Sequence, residues 1–137
     1  MYEPYKWAIY TMDKAYVDLE ALYRMTENET YFVTRAKTPM KYEVVETNYN
    51  INDLVGIVGD KTIRFTGYAS RKKYPKDLRI VEFYDAEKEE VIIFLTNNFE
   101  LGPLVIANIY RNRWQIESFF YDKHIIMQSS VARMHAN

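Results

Sequence analysis

Residues 7–36 read WAIYTMDKAYVDLEALYRMTENETYFVTRA and carry the pattern from which the fold class follows. Trp7 to Met12 is a short apolar run suited to a buried strand, and it stops at Asp13. Asp18 is a favourable N-cap for a short helix, and Tyr31 to Ala36 is a second strand-like run. A strand, a helix and a strand in this order are typical of a sheet with crossover helices, so we expect an α/β (α+β) chain.

The middle of the chain has a different pattern, in which short strand-like runs alternate with turn-forming residues. The predicted strands are Lys41 to Thr47, Leu54 to Val58, Thr62 to Thr66, Leu78 to Tyr84 and Val91 to Leu95. The predicted turns lie at 50–53, 59–61, 74–77 and 85–89, where Asn, Asp, Gly, Pro and Lys cluster. This pattern predicts an antiparallel β segment.

Helical periodicity returns near the end of the chain. Pro103 suits the first turn of a helix, and the periodic pattern then runs from about Leu104 to Ile126. Beyond Met127 the pattern weakens, and we expect no clear element in the tail.

The composition is that of one ordinary domain of 137 residues with 48% hydrophobic residues and a net charge of −1. The 13 Tyr residues fit either a mixed β-rich core with its rim or a stacking surface for nucleic acid. The chain has no Cys, which argues against disulfides and thiolate metal sites and fits a cytoplasmic protein. Its sequence has no signal-peptide pattern and no long apolar run, so we expect no membrane association.

Tyr110, Arg113 and Glu117 are spaced by three and then four residues, which places them on one face of the predicted helix. Arg113 and Glu117 alone fit an ordinary helical ion pair. Asp13 follows a predicted strand, where functional residues of α/β sheets gather, although a lone Asp is also a common turn residue. Together Asp13 and Glu117 would supply two oxygen ligands of the kind that Mg²⁺ prefers.

Four blocks of the sequence, in order, resemble one family of proteins. They read MDKAYVD at 12–18, FVTRAK at 32–37, FLTNNF at 94–99 and YRNRWQIESFF at 110–120. The last block looks like the Y-R-E-K signature of DDE-type bacterial insertion-sequence transposases (the IS-four group), in which the run is Y-x-x-R-W-x-x-E-x-F-F. The resemblance covers roughly Tyr10 to Phe120.

The resemblance implies an RNase H-like fold that cuts and joins DNA with the help of Mg²⁺ or Mn²⁺. Asp13 would be the second metal-binding, catalytic carboxylate and Glu117 the third. Tyr110 and Arg113 would contact DNA phosphate near the cut. The implied partner is DNA at the transposon ends, and the intact transposase could act as a homodimer.

The resemblance also implies a division of the chain. Residues 1–37 would be a strand-helix-strand part of the RNase H-like core, and residues 38–100 would be a β insertion with a return strand. Residues 101–127 would be the helix that carries the catalytic Glu, followed by a divergent tail at 128–137.

The sequence departs from the family at two points. The family's first catalytic Asp lies well upstream of the second, whereas Glu3 is the sole acid before Asp13. The signature Lys falls seven residues after the Glu, and His124 stands there, with Lys123 adjacent. We therefore expect a truncated transposase fragment that does not cleave DNA alone, and the alternative is a noncatalytic α/β domain that keeps only the fold or DNA binding.

A basic run lies within the predicted β segment and could track a DNA backbone. It comprises Arg71, Lys72, Lys73, Lys76 and Arg79, with Tyr68 and Tyr74 on its flanks. The alternative is an ordinary solvated loop.

Overall fold

A computed structural model describes residues 8–12, 18–36, 40–51, 55–112 and 127–129 of the chain. It begins with strand β1 (Ile9–Met12), helix α1 (Leu19–Glu27) and strand β2 (Tyr31–Arg35). Asp18 caps α1, because its carboxylate accepts hydrogen bonds from the backbone N–H of Glu20 at 3.0 Å and of Ala21 at 3.4 Å. Since β1 and β2 pair in parallel, the predicted strand-helix-strand opening is confirmed.

The next four described strands pair consecutively, and we call them the meander. The elements are β3 (Tyr42–Thr47), β4 (Ile57–Phe65), the short helix α2 (Tyr68–Lys73), β5 (Leu78–Asp85) and β6 (Glu90–Thr96). Among these four, each strand from β4 onward pairs antiparallel with the one before it, so the predicted antiparallel segment is confirmed.

The meander and the opening unit belong to one sheet. β6 pairs antiparallel with β2, and β1 lies between β2 and a short strand β7 (Met127–Ser129), which is parallel to β1. The described strands thus form a seven-stranded sheet in the order β3-β4-β5-β6-β2-β1-β7. The chain is therefore mixed α/β, as expected.

Neighbouring residues of a strand point to opposite sides of the sheet. This sheet has an apolar cluster on each side, and helices pack on both. Helix α3 (Pro103–Arg111) buries Ile106, Ala107 and Ile109 on one face, against a cluster that includes Val33, Val81 and Phe94. Helix α1 and the residue that follows α2 cover the other face, against Phe32, Ile80 and Leu95.

The predicted turn at Gly59-Asp60-Lys61 is wrong. The two strands expected at 54–58 and 62–66 merge into β4, which runs through these residues with a register shift between Ile57 and Gly59. Asp60 is 4% exposed and pairs with Arg79 of β5. A buried partner on the neighbouring strand therefore outweighs the local turn preference of Gly and Asp.

Two further expectations need correction. Residues 71–73 of the basic run, for which the β segment or a solvated loop is expected, lie in helix α2, which is followed by a buried Tyr74. The tail was expected to lack structure from residue 128, yet Met127–Ser129 form β7, so Met127 is not the end of a helix. The described part of α3 ends at Arg111, and the rest of the helix predicted to Ile126 lies outside the described residues.

Candidate functional site

The end of β1 is the part of the described structure next to Asp13, which itself lies outside the described residues. Met12 is the last described residue before it, and its carbonyl accepts a hydrogen bond from Thr34 Oγ1 at 2.9 Å. Thr34 is fully buried on β2, and Thr11 is fully buried on β1. The backbone that leads into Asp13 is therefore held to the neighbouring parallel strand by a side chain as well as by the sheet.

Helix α3 leads into the signature block. Pro103 stands at its start, where a missing N–H costs nothing, as the sequence predicted. Its last turn packs on the sheet, and the ring of Tyr110 lies 5.1 Å from the ring of Phe94, centroid to centroid. Tyr110 is only 8% exposed, so its ring belongs to the core.

The remaining signature positions come after α3 in the sequence. Arg113, Glu117 and His124 lie outside the described residues, so the distance between the Asp13 and Glu117 carboxylates stays a prediction. At the described end of α3, the guanidinium of Arg111 stands 4.3 Å from the centroid of the Phe83 ring, a cation–π contact that anchors this turn to β5.

A buried ion pair beneath α3 was missed by sequence reasoning. Arg79 donates from Nε to Asp60 Oδ1 at 2.9 Å and from Nη2 to Asp60 Oδ2 at 3.0 Å. Asn48 donates a further hydrogen bond to Asp60 Oδ2 at 2.9 Å. Although burial raises the pKa of Asp60, the hydrogen bonds from Arg79 and Asn48 and the charge of Arg79 bring it below its usual value.

The assignment of Arg79 to a surface basic run is therefore wrong, because the residue is 6% exposed and lies in the core. One signal for this was present in the sequence. A single cation inside the apolar run LRIVEF (78–83) and a single acid inside IVGDKTI (57–63) are both unusual for strand interiors, and buried charges need partners.

The other four basic residues of the run form a separate surface, on the face of the sheet opposite to Arg79. Lys72, Lys73 and Lys76 are exposed, and Arg71 is half-buried. Lys76 Nζ lies 5.9 Å from the centroid of the Tyr23 ring on α1. We call these four residues the α2 basic surface.

The two tyrosines on the flanks of this surface differ. Tyr68, the first residue of α2, is 84% exposed, whereas Tyr74 is fully buried. The hydroxyl of Tyr74 lies 2.7 Å from Thr26 Oγ1, which joins α1 to the end of α2. Burial raises the pKa of Tyr74 to about 12 despite that hydrogen bond. Tyr74 is thus a core residue and is not available for stacking.

The described part of the chain has neither a cluster of metal-ligating side chains nor a membrane-spanning helix. Residues 8–12, 18–36, 40–51, 55–112 and 127–129 contain no group of three or more His, Cys, Asp or Glu side chains placed to hold a metal ion. Within the same ranges no helix has the length and apolar character needed to cross a membrane.

Comparison with known proteins assigns this α/β domain to a family. A family model described as "Transposase DDE domain" matches residues 1–127. The chain is 30% identical over 116 residues to "Putative transposase y4zB" of Sinorhizobium fredii, an alignment that covers 82% of this chain and 32% of that protein. It is also 30% identical over 110 residues to "Probable transposase for insertion sequence element IS5377" of Geobacillus stearothermophilus, covering 79% of this chain and 28% of that protein.

The chain therefore belongs to the DDE-domain transposase family, and the expected membership of the insertion-sequence transposases is confirmed at this level. It spans about a third of the length of these relatives. Divalent metal use and DNA binding are general properties of the family.

Proposed function

We propose that this chain is part of the catalytic domain of a cut-and-paste insertion-sequence transposase of the Y-R-E-K group. The observation that most supports this proposal is the arrangement of the strands and of α3 in and on one sheet. β1 lies between β2 and β7 and leads into Asp13, while α3 packs on the same sheet and leads into Arg113 and Glu117. In the intact protein such a domain would cleave DNA at the transposon ends and transfer the strands.

This proposal includes an RNase H-like core. A parallel strand pair joined through α1, as formed by β1 and β2, is compatible with it. Residues 1–37 would belong to the core, and residues 38–100 would be the insertion, whose β6 extends the core sheet beside β2. The helical segment that follows residue 101 would carry the catalytic Glu. Since transposition acts on cellular DNA and joins two ends, we also place the intact protein in the cytoplasm and expect a homodimer.

Asp13 and Glu117 would hold Mg²⁺ or Mn²⁺. The donor chemistry fits, because carboxylate oxygens are the ligands that these hard cations prefer. A bound divalent ion would supply activation of the attacking oxygen and stabilisation of the charge that develops at the phosphate. The contribution of the chain itself is to hold these carboxylates in place. The Thr34–Met12 hydrogen bond supports this role, because it fixes the strand end beside Asp13. In this proposal Arg113 contacts DNA phosphate, and Tyr110, whose ring is packed in the core, does so only through its hydroxyl.

Metal binding is tested by calorimetric titration of the 137-residue chain with Mn²⁺. We expect Asp13→Asn and Glu117→Gln each to weaken binding by roughly tenfold or more, since loss of a ligand should exceed the effect of losing its supporting partners. The matched control is Glu87→Gln, which removes an exposed carboxylate in the turn between β5 and β6. Equal Mn²⁺ affinity in all four chains would contradict the proposed metal site.

DNA binding is tested on the α2 basic surface. Phosphate contacts release counterions, so the logarithm of the affinity should fall with the logarithm of salt concentration by about 0.9 per contact. We expect reversal of Arg71, Lys72 and Lys73 to Glu to weaken binding and to flatten this slope. Lys72→Glu is compared one to one with Lys88→Glu, an exposed cation in the turn between β5 and β6. Binding that responds equally to both single changes would remove the α2 basic surface from the proposal.

By itself the 137-residue chain should not cleave DNA. Glu3 is the sole acid before Asp13, and a two-metal reaction requires both ions to be placed against the attacking and leaving oxygens. The assay is nicking of supercoiled DNA with Mg²⁺ or Mn²⁺, with Glu117→Gln as control. Metal-dependent nicking that disappears in the control would prove this expectation wrong. DNA binding without any Mn²⁺ binding would favour the noncatalytic alternative.

A further inference from the structure

The loop between β6 and α3, residues 97–102, is tied to the sheet through the buried Asp60–Arg79 pair. Beyond its two bonds to Asp60, Arg79 donates from Nη1 to the carbonyls of Asn98 at 2.9 Å and Leu101 at 2.7 Å. A guanidinium offers five N–H donors in a planar fork, and four hydrogen bonds here use three of its nitrogens. Arg79 thus bridges β4 to the loop that starts α3.

The loop is closed around that bridge by a second residue. Asn98 Oδ1 accepts from the backbone N–H of Glu100 and of Leu101, both at 2.9 Å. The backbone N–H of Asn98 donates to Thr96 Oγ1 at 3.0 Å, at the end of β6. The carbonyls that Arg79 binds are therefore held in a compact turn, so a displacement of the guanidinium would move the loop as a unit.

The side chain of Asn97 ties the first residue of the loop to Thr26, Thr30 and Phe32 on the far side, but the start of helix α3 itself has no side-chain cap. Its N-cap is Gly102, which has no capping side chain, and Pro103 has no N–H to donate. The packing of Ile106, Ala107 and Ile109 is apolar, and apolar contacts are non-directional. Apolar packing holds the helix against the sheet, whereas the hydrogen bonds of the loop set its position along its own axis.

We infer that Arg79 is a positioning residue, which uses Asp60 as its anchor and the 97–102 loop as its link to set the placement of α3 and of the signature residues that follow it. The catalytic consequence rests on the proposed function. Because a misplacement of about 1 Å can cost roughly 100-fold in rate, a rigid link between the meander and this helix would matter for the chemistry. The meander would then support the Glu-bearing segment as well as any DNA contact.

The test compares Arg79→Lys with Arg64→Lys in the 137-residue chain. Lysine keeps the positive charge beside Asp60 but has no planar fork to hold the carboxylate and two carbonyls together. Arg64 is the matched control, since it joins β4 to the residue before β5 through a 2.9 Å bond to Asp77, but its side chain is 40% exposed and its partners Asp77 and Glu43 lie outside the 97–102 loop.

The measurement is amide hydrogen exchange, resolved by residue, together with thermal unfolding. We expect exchange in residues 104–112 to accelerate roughly tenfold in Arg79→Lys, while β2 and β6 change much less and unfolding stays cooperative. Arg64→Lys should leave α3 unchanged. A uniform acceleration, an equal effect of Arg64→Lys, or loss of cooperative unfolding in Arg79→Lys would each overturn the inference.

A separate readout concerns the signature residues. Arg79→Lys should weaken Mn²⁺ binding by roughly tenfold, a size typical of losing a residue that orients a metal ligand, and Arg64→Lys should not. Mn²⁺ affinity that is unchanged in Arg79→Lys, with faster exchange in α3, would overturn the link to the signature residues. A wild-type chain that binds no Mn²⁺ would refute the proposed metal site instead. The difference in α3 hydrogen exchange between Arg79→Lys and Arg64→Lys would still test whether Arg79 places α3.

Discussion

Replacing Arg79 with Met should be among the most destabilising single changes in the described part of the chain. It leaves the carboxylate of Asp60, only 4% exposed, without its cation, and breaking a buried pair in this way costs about 3–5 kcal/mol. It also removes the donor for two loop carbonyls, each worth about 1–3 kcal/mol when left unsatisfied. For 137 residues the total stability should be roughly 7–20 kcal/mol, so the variant could lose a large share of it.

The pH dependence of the stability loss in Arg79→Met shows whether the uncompensated carboxylate of Asp60 causes it. In the wild type the folded-state pKa of Asp60 lies below its unfolded value, so its contribution is present above the ordinary Asp range and is lost as pH falls through the folded pKa. Without Arg79, burial is no longer offset by that cation, and we expect the folded-state pKa to lie above the unfolded one. The difference in stability between wild type and Arg79→Met should therefore grow as pH rises from the acid range to neutrality.

The assay is urea unfolding followed by circular dichroism, with linear extrapolation to water. The control is the double change Asp60→Leu with Arg79→Met, which removes the buried charge as well. It should recover the part of the loss that belongs to Asp60 and retain the part that belongs to the carbonyls of Asn98 and Leu101. A loss below about 1 kcal/mol in Arg79→Met would be too small for a broken buried pair. A double variant no more stable than the single one would show that the uncompensated carboxylate is not the cause.

Two further predictions concern the packing of the meander and of α2. Tyr74→Phe should cost about 1 kcal/mol near neutral pH through the lost bond to Thr26. It should also abolish a wild-type stability loss of roughly 3 kcal/mol between about pH 10 and 12, because the raised folded-state pKa of Tyr74 makes the phenol a stabilising group below that range. If the free energies of unfolding of the two proteins differ by a constant amount across that pH range, this assignment is contradicted. Gly56→Ala should destabilise more than Gly59→Ala in the same urea assay, since Gly56 has φ 88° and a Cβ there would meet the buried ring of Phe83. At Gly59 the added Cβ meets the flexible end of Glu82, so an equal cost at both glycines would count against this difference.

The opening unit and most of the meander were predictable from the sequence because their signals are local. The cap at Asp18 and the strand-like run at 78–84 each favour one structure over a few neighbouring residues, and the structure has the expected α1 and β5 there. The family was also identifiable from four short blocks, because their order along the chain is more specific than any one of them.

What could not be predicted depends on contacts between distant residues. Asp60 and Arg79 lie 19 residues apart, and their pairing depends on the register of β4 against β5, which no local pattern indicates. Tyr74 looked like a flank of a basic surface because its neighbours are charged, but its contacts with Thr26 and the ring of Tyr23 come from a different helix. Local turn and charge preferences therefore gave wrong predictions where tertiary burial decided the outcome.

The pairing of β2 with β6 has a consequence for how the chain is assembled during synthesis. Val33 lies opposite Thr96, so β2 leaves the ribosome long before its partner strand on that side exists. Contacts so far apart in sequence are slow to form, whereas the consecutive hairpins of β3 to β6 can form locally. We therefore expect the meander to fold first and to dock onto β2 afterwards, so that the two parts of the sheet are joined at its centre.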